Sequence, residues 1–175
     1  MEIWIRPISE TAPGNLHDRT LFATRAGWRE LEKMVSNGLP AAEVERAKEY
    51  LHNFSVTYGS TIGRRLAYAI DDAFYGLPEP GFLGSIRPAL DRITTESVKE
   101  ALAEHLQYEN MYLVIITEDA EALKAKLISG DATPITYAGE QPPSILEEDR
   151  EIAVYPIPVE EDDFVILDIM EVFEG

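Results

Sequence analysis

The sequence predicts an α+β fold, with helices packed on one face of a small sheet and an extended acidic arm at the C-terminal end. Three observations carry this. Apolar residues recur at helical spacing through much of 16–128. Residues 3–8, 111–117 and 164–170 are instead rich in the aromatic and β-branched types that favour strands. From Asp131 onward, prolines accumulate and periodicity fades. The resulting order is strand, helices, strand, helix, arm, strand, a pattern that packs helices against a sheet. It divides the chain into a domain over 1–130 and an arm over 131–175.

Taken in order, "IWIRPI" (3–8) alternates Ile3, Ile5 and Pro7 with Trp4, Arg6 and Ile8. Pro7 has no N–H, so this strand belongs at an edge or ends there. Residues 9–15 are rich in turn formers. A helix over 16–36 places Leu21, Trp28, Leu31 and Val35 on one face. "SNGLP" closes it, with Gly38 suited to a left-handed cap and Pro40 suited to open the next helix. That helix runs from 41 towards 74, with Val44, Ala47, Leu51, Phe54 and Tyr58 as its inner stripe. "YGSTIG" (58–63) kinks or breaks it, because each glycine costs about 1 kcal/mol relative to alanine in a helix. Gly76, then Pro78 and Pro80, stop it.

"GFLGSIRPALDRI" reads as a short irregular helical segment. Thr94 is a good N-cap for the next helix, and Glu96 sits in its first turn, where the helix dipole favours an acid. Val98, Ala101, Leu102 and His105 or Leu106 form the inner face. The uncharged run 111–117 implies a strand buried on both faces. "EDAEALKAKLIS" is a helix closed by Gly130. The stretch 132–163 holds five prolines and reads as extended, and "FVILDIM" (164–170) is a last strand. Two or three strands are few for so many helices. Together with a chain that opens directly on a strand, this suggests a piece of a larger domain.

The chain has 175 residues, 45% of them hydrophobic, enough for a globular core. No apolar run reaches the roughly 18 residues a membrane helix needs, and the first residues lack the basic and apolar regions of a signal peptide. The net charge of −17 argues against nucleic acid and against anionic membranes as partners. From residue 140 on there are twelve acidic residues and one basic, so −11 of the −17 lies in the tail, which reads as a solvated acidic segment. With no cysteine, disulfides, thiolate metal sites and a cysteine nucleophile are excluded.

Catalytic patterns are sparse. A helical zinc site needs two histidines one turn apart. The residues four on from His17, His52 and His105 are Leu21, Val56 and Glu109, and neither HExxH nor HxxEH occurs. His105 reads as a helix-end residue favoured by the dipole. No GxSxG elbow is present, and "YGSTIGRR" lacks the Walker lysine. Arg64 and Arg65 with Tyr68 could receive an anion, but a helix face paired with Asp71 and Asp72 is the simpler reading. Glu160–Asp163 lacks the alternating ligands and central glycine of a calcium loop. No catalytic, cofactor-binding or metal-ligating residue is assigned.

The ordered set "NGLPAAEVERAKEYL", "RRLAYAIDDAFYGL" and "IRPALDRITTESVKEALAEHLQYENMYLVIIT" resembles the later half of a repeat in the insulinase/pitrilysin family of zinc metallopeptidases, which includes the mitochondrial processing peptidases. Gly38 and Leu39 match its helix-opening segment, with Pro40 where Thr is usual. Ile93, Thr94 and Val98 match the segment before its last helix. The resemblance spans residues 1–128. It implies the C-terminal part of the family's inactive repeat, a non-catalytic fragment of a zinc-dependent metalloendopeptidase. Such a fragment would form part of the wall of a peptide-binding chamber. Zinc, its HxxEH motif and the substrate-gripping residues would belong to the rest of the parent. The implied partners are the remaining repeats and, in the parent, a peptide substrate. The isolated fragment would associate with copies of itself through strand edges or apolar helix faces. A bacterial parent could be periplasmic or cytoplasmic. The alternatives are a non-catalytic interaction subunit of the same family and an acidic protein-binding module.

Overall fold

A computed structural model describes residues 14–168 and 170. The expected strand at 3–8 lies outside the described residues. Those described form seven α-helices: α1 (Leu16–Asn37), α2 (Ala41–Ser55), α3 (Ile62–Tyr75), α4 (Gly81–Arg92), α5 (Thr95–His105), α6 (Ala120–Ser129) and α7 (Pro143–Ala153). A 3₁₀ turn spans Glu161–Asp163. Among the described residues there is no strand and no sheet, which corrects the α+β expectation to an all-helical fold.

The physical reason lies in residues 111–117. A strand's hydrogen bonds are made to a neighbour, so strand-like composition alone cannot complete one. The segment has no regular secondary structure, yet its burial alternates. Ile115 and Thr117 are half-buried, and Ile115 packs on the Leu21 cluster. Tyr112, Val114 and Ile116 are 99%, 85% and 86% exposed. The apolar run implied burial on both faces, but only one is covered. The expected strand at 164–170 is corrected likewise. Residues 164–168 lack regular structure, Phe164 turns inward, and Val165 and Leu167 stay exposed.

The helix boundaries follow local chemistry. Gly38, at φ +76°, ends α1, and its N–H donates to Met34 O at 2.9 Å. The long helix expected over 41–74 breaks at 56–61, around Gly59, with Gly63 in the first turn of the next helix. Thr61 then caps α3 by accepting from Arg64 N at 3.2 Å, and Gly76, at φ +65°, closes it. Thr94 and Ser97 cap α5 reciprocally, at 3.1 and 3.0 Å. Asp119 caps α6 by accepting from Ala122 N at 3.0 Å.

The arm is not wholly extended, because α7 lies within it. Its two prolines stand at the N-cap and the first helical position, where a missing N–H costs nothing. Ile152 and Ala153 then bury at the other end.

The described residues fall into two compact units, divided at Lys33/Met34 and Leu106/Gln107. In the unit holding most of α1, two clusters form the core. Leu21 packs with Leu123 and Leu127 of α6, joined by Ile115, Ile157, Val159 and Phe164. Phe22 packs with Ile152 and Ala153 of α7, joined by Ala26 and Ile135. Adjacent positions on α1 thus serve two different helices. In the unit from Met34 to Leu106, α2 packs on α4 and α5, and α3 packs on α4. Its buried apolar side chains are Val44 and Leu90. The inner stripe expected on α2 is covered at Val44 but not at Ala47, Leu51 or Phe54, which remain exposed.

Candidate functional site

The unit built on α1 holds buried cations that sequence reasoning did not find. Arg25 and Arg29 are one turn apart on α1 and both are buried. Arg25 donates to the carbonyl of Ala153, the last residue of α7, and to Thr133 Oγ1 at 3.1 Å. The Thr133 N–H also donates to Ala153 O, at 2.9 Å. The C-terminal carbonyls of a helix lack intrahelical partners and carry partial negative charge, so a guanidinium there satisfies both needs. Burial holds the Arg25 pKa below its ordinary value, and Asp131 acts in the opposite direction.

Arg29 bridges α1 to two α7 carboxylates, Glu148 at 2.9 Å and Glu151 at 2.7 Å, and also meets Glu30 at 2.9 Å. Burial opposes its charge, and these carboxylates outweigh burial, so its pKa is raised. Hydrogen bonding to Arg29 in turn lowers the Glu148 pKa. Tyr155 donates its hydroxyl to Glu32, and burial together with that bond pushes its pKa up to about 12. Tyr137 does the same to Asp149 at 3.0 Å. Arg25 and Arg29 tie α1 to α7, Tyr155 ties the chain after α7 to α1, and Tyr137 ties the chain before α7 to α7. These bonds hold α1, α7 and the chain beside α7 together.

The three histidines stand on three different helices. His17, in the first turn of α1, lies 3.4 Å from Thr117 Oγ1. His52 on α2 meets Asp91 of α4 at 2.9 Å. His105 is the last residue of α5 and is exposed. No group of three or more His, Asp or Glu is placed to share a metal ion among the described residues. Glu160–Asp163 forms a self-capped turn, with Glu160 N–H donating to Asp163 Oδ2 at 2.8 Å. Two shallow recesses, of about 460 and 270 Å³, lie beside His52 and His17.

Arg64 and Tyr68 have partners within the unit. Arg64 donates to Thr57 O at 2.7 Å, and the Tyr68 ring stacks on Phe82 at 5.0 Å. Asp72, expected to pair with an arginine of its own helix, accepts from Phe82 N at 3.0 Å. The Tyr68 side of α3 therefore faces α4 and the turn after α2, where Tyr58 also meets Tyr68 and Phe82 at 6.2 and 6.1 Å.

The other side of α3 is the most unusual surface of the unit. Ile62, Leu66, Ile70 and Phe74 recur every four residues and so form one stripe. They are 78%, 60%, 59% and 80% exposed. No residue of α3 is buried, although both its ends are capped. Scattered exposed hydrophobics are ordinary, whereas a contiguous row on a preformed helix marks a contact surface. The i, i+4 repeat was legible in the sequence. Its exposure was not, because an amphipathic pattern cannot say which neighbour covers it. The arrangement can bind an apolar partner surface, and it offers no nucleophile or general base. No helix among the described residues is long and apolar enough to cross a membrane. Comparison with protein families, curated proteins and solved structures finds no match for this chain.

Proposed function

We propose that this chain is a non-catalytic, protein-contacting part of a zinc-dependent metalloendopeptidase, contributing to the wall around the peptide. The observation that supports this reading most is the exposed apolar face of α3, on a chain whose buried cations Arg25 and Arg29 tie α1 to α7. The order of helix boundaries supports it further. A helix opens after Gly38–Leu39–Pro40, a second ends at Tyr75–Gly76, and a third is capped by Thr94 and leads to the apolar run 111–117, which forms no strand. These are the helical elements of the insulinase/pitrilysin resemblance. Zinc would then belong to the rest of the parent, and peptide chemistry would occur outside this chain.

The test is to tag the chain at its native locus and purify the tagged species under non-denaturing conditions. The expected result is about one zinc per complex and endopeptidase activity that a chelator abolishes and zinc restores. A tagged species free of zinc and inactive on unfolded peptides sinks the reading. Stoichiometric zinc on the isolated chain, lost in His105→Ala, would overturn it from the other side.

A further inference from the structure

We infer that residues 111–117 are an open edge that takes up an extended segment of a different protein, apolar at alternate positions and flanked at both ends by lysine or arginine. The first argument is conformation. Burial along the run alternates, with Tyr112, Val114 and Ile116 facing out and Ile115 and Thr117 facing in, which is the period of extended backbone. Among the described residues, no N–H or carbonyl of 111–117 bonds to another backbone group. An extended run with free main-chain groups is a template on which a second extended chain adds. Ile115 packs on the Leu21 cluster, so the edge is held in place before any partner arrives, which lowers the ordering cost of binding. An added segment sets every second side chain beside Tyr112, Val114 and Ile116, and apolar residues there cover them.

The second argument is charge complementarity, and it selects the occupant. Glu109 stands before the run, Glu118 and Asp119 follow it directly, and all three are exposed. No lysine or arginine occurs from 106 to 123. None of the three carboxylates is in an ion pair among the described residues. Asp119 caps α6 through a backbone N–H, which leaves its charge without a cation. His17 reaches Thr117 rather than a carboxylate, and Lys124 lies over the Phe164 ring at 5.4 Å. Phe164 packs on the same Leu21 cluster, and the chain beside it is acidic too, with Glu161–Asp163 before it and Asp168 after. A second copy of this chain is therefore the wrong occupant. Antiparallel pairing of two such edges about Val114 sets Glu109 against the partner's Asp119, and parallel pairing sets each acid beside its own copy. Like charges placed opposite are unfavourable in either case. Basic residues at both ends of the added segment satisfy all three carboxylates.

A single added strand buries less than the roughly 1,200 Å² of a stable specific interface, so the affinity is expected in the micromolar range. The charged ends are exposed, and binding should weaken as salt rises.

This inference rests on 111–117 and not on the peptidase reading. Zinc and peptidase assays do not bear on it, and its failure leaves that reading standing. The test titrates the full chain with the synthetic peptide KKTVTVTVTKK, whose valines can lie beside Tyr112, Val114 and Ile116 while its lysines reach Glu109, Glu118 and Asp119. It should bind about tenfold or more tighter than EETVTVTVTEE. Amide hydrogen exchange should slow at 111–117 when it binds. A strand edge bonds through alternate residues, so methylating every second peptide nitrogen should abolish binding in one phase and spare it in the other. Glu109→Lys/Glu118→Lys should erase the preference for the lysine peptide. Glu49→Lys/Glu79→Lys makes the same change in net charge at exposed sites elsewhere and should leave the preference in place. No binding at millimolar peptide overturns the inference, as does equal binding of the two peptides. Equal effects of the two methylation phases, or of the two charge reversals, also overturn it. Amides of 111–117 already protected in the free chain would mean that the edge is covered, and they overturn it as well.

Discussion

The unit built on α1 and the unit from Met34 to Leu106 solve the same problem in opposite ways. Both are made of amphipathic helices. In the first, α1 has neighbours on two sides, and Leu21 and Phe22 each enter a different cluster. Its polar groups then lock the arrangement through Arg25, Arg29 and Tyr155. In the second, α3 carries an equally clear apolar stripe and leaves most of it exposed. A helical apolar pattern therefore specifies a face that wants a partner. Whether that partner lies in the same chain is decided elsewhere.

The sharpest way to break the comparison is a matched pair of truncations. Leu21 is fully buried, so Leu21→Ala should cost about 2–5 kcal/mol through lost burial and a cavity. Leu66→Ala removes the same atoms from an exposed site and should change monomer stability by less than about 0.5 kcal/mol. Urea titration of dilute protein measures both. Equal costs would mean that the stripe on α3 is already covered within one chain, and the contrast between the units would fail.

How far this was legible follows from which interactions are local. The breaks at Gly38, Gly76 and Gly130, the interruption around Gly59 and the Thr94 cap all depend on nearby residues, and sequence places them to within a few residues; the interruption runs over 56–61 where 58–63 was expected. The helix α7 was hidden by reading Pro142 and Pro143 as part of a proline-rich arm. At a helix start the same residues are favourable, and the spacing from Ile145 to Ile152 was the available signal. Residues 111–117 have strand composition, but pairing is non-local, and composition does not supply a neighbour. The buried state of Arg25 and Arg29 depends on acceptors 119 to 128 residues away, at Glu148, Glu151 and Ala153. A charged residue in a helix reads as outward-facing until those partners are known. For the candidate site, the stripe could be read from its spacing, and the absence of a neighbour over it could not.

A smaller effect separates packing from polar locking at Arg25. Its aliphatic stem is buried in the α1 unit, and its head satisfies the end of α7. Arg25→Ala loses both and should cost about 2–4 kcal/mol. Arg25→Met keeps most of the stem and removes a charge whose burial is itself unfavourable, so it should cost less than half as much. Thermal or urea unfolding of the two variants decides this. Equal losses would show that the bonds to Ala153 and Thr133, rather than packing, hold α7 in place.

The smallest expected effect tests the locking of this unit through pH. Tyr155 has its pKa raised from 10 to about 12 by burial and by its bond to Glu32. A phenol that keeps its proton more tightly when folded adds stability that is fully present below about pH 10, its unfolded value. That stability is lost as pH rises through about 12. Tyr155→Phe removes the bond and should lower stability by about 1 kcal/mol at neutral pH. It should also flatten the part of the alkaline decline that lies between those two values. Lysine and arginine titration contributes to that decline in both proteins, so the difference between them is the quantity to read. A variant whose decline between pH 10 and 12 parallels the parent would mean that Tyr155 does not lock this unit. The contrast with α3 would then rest on apolar burial alone.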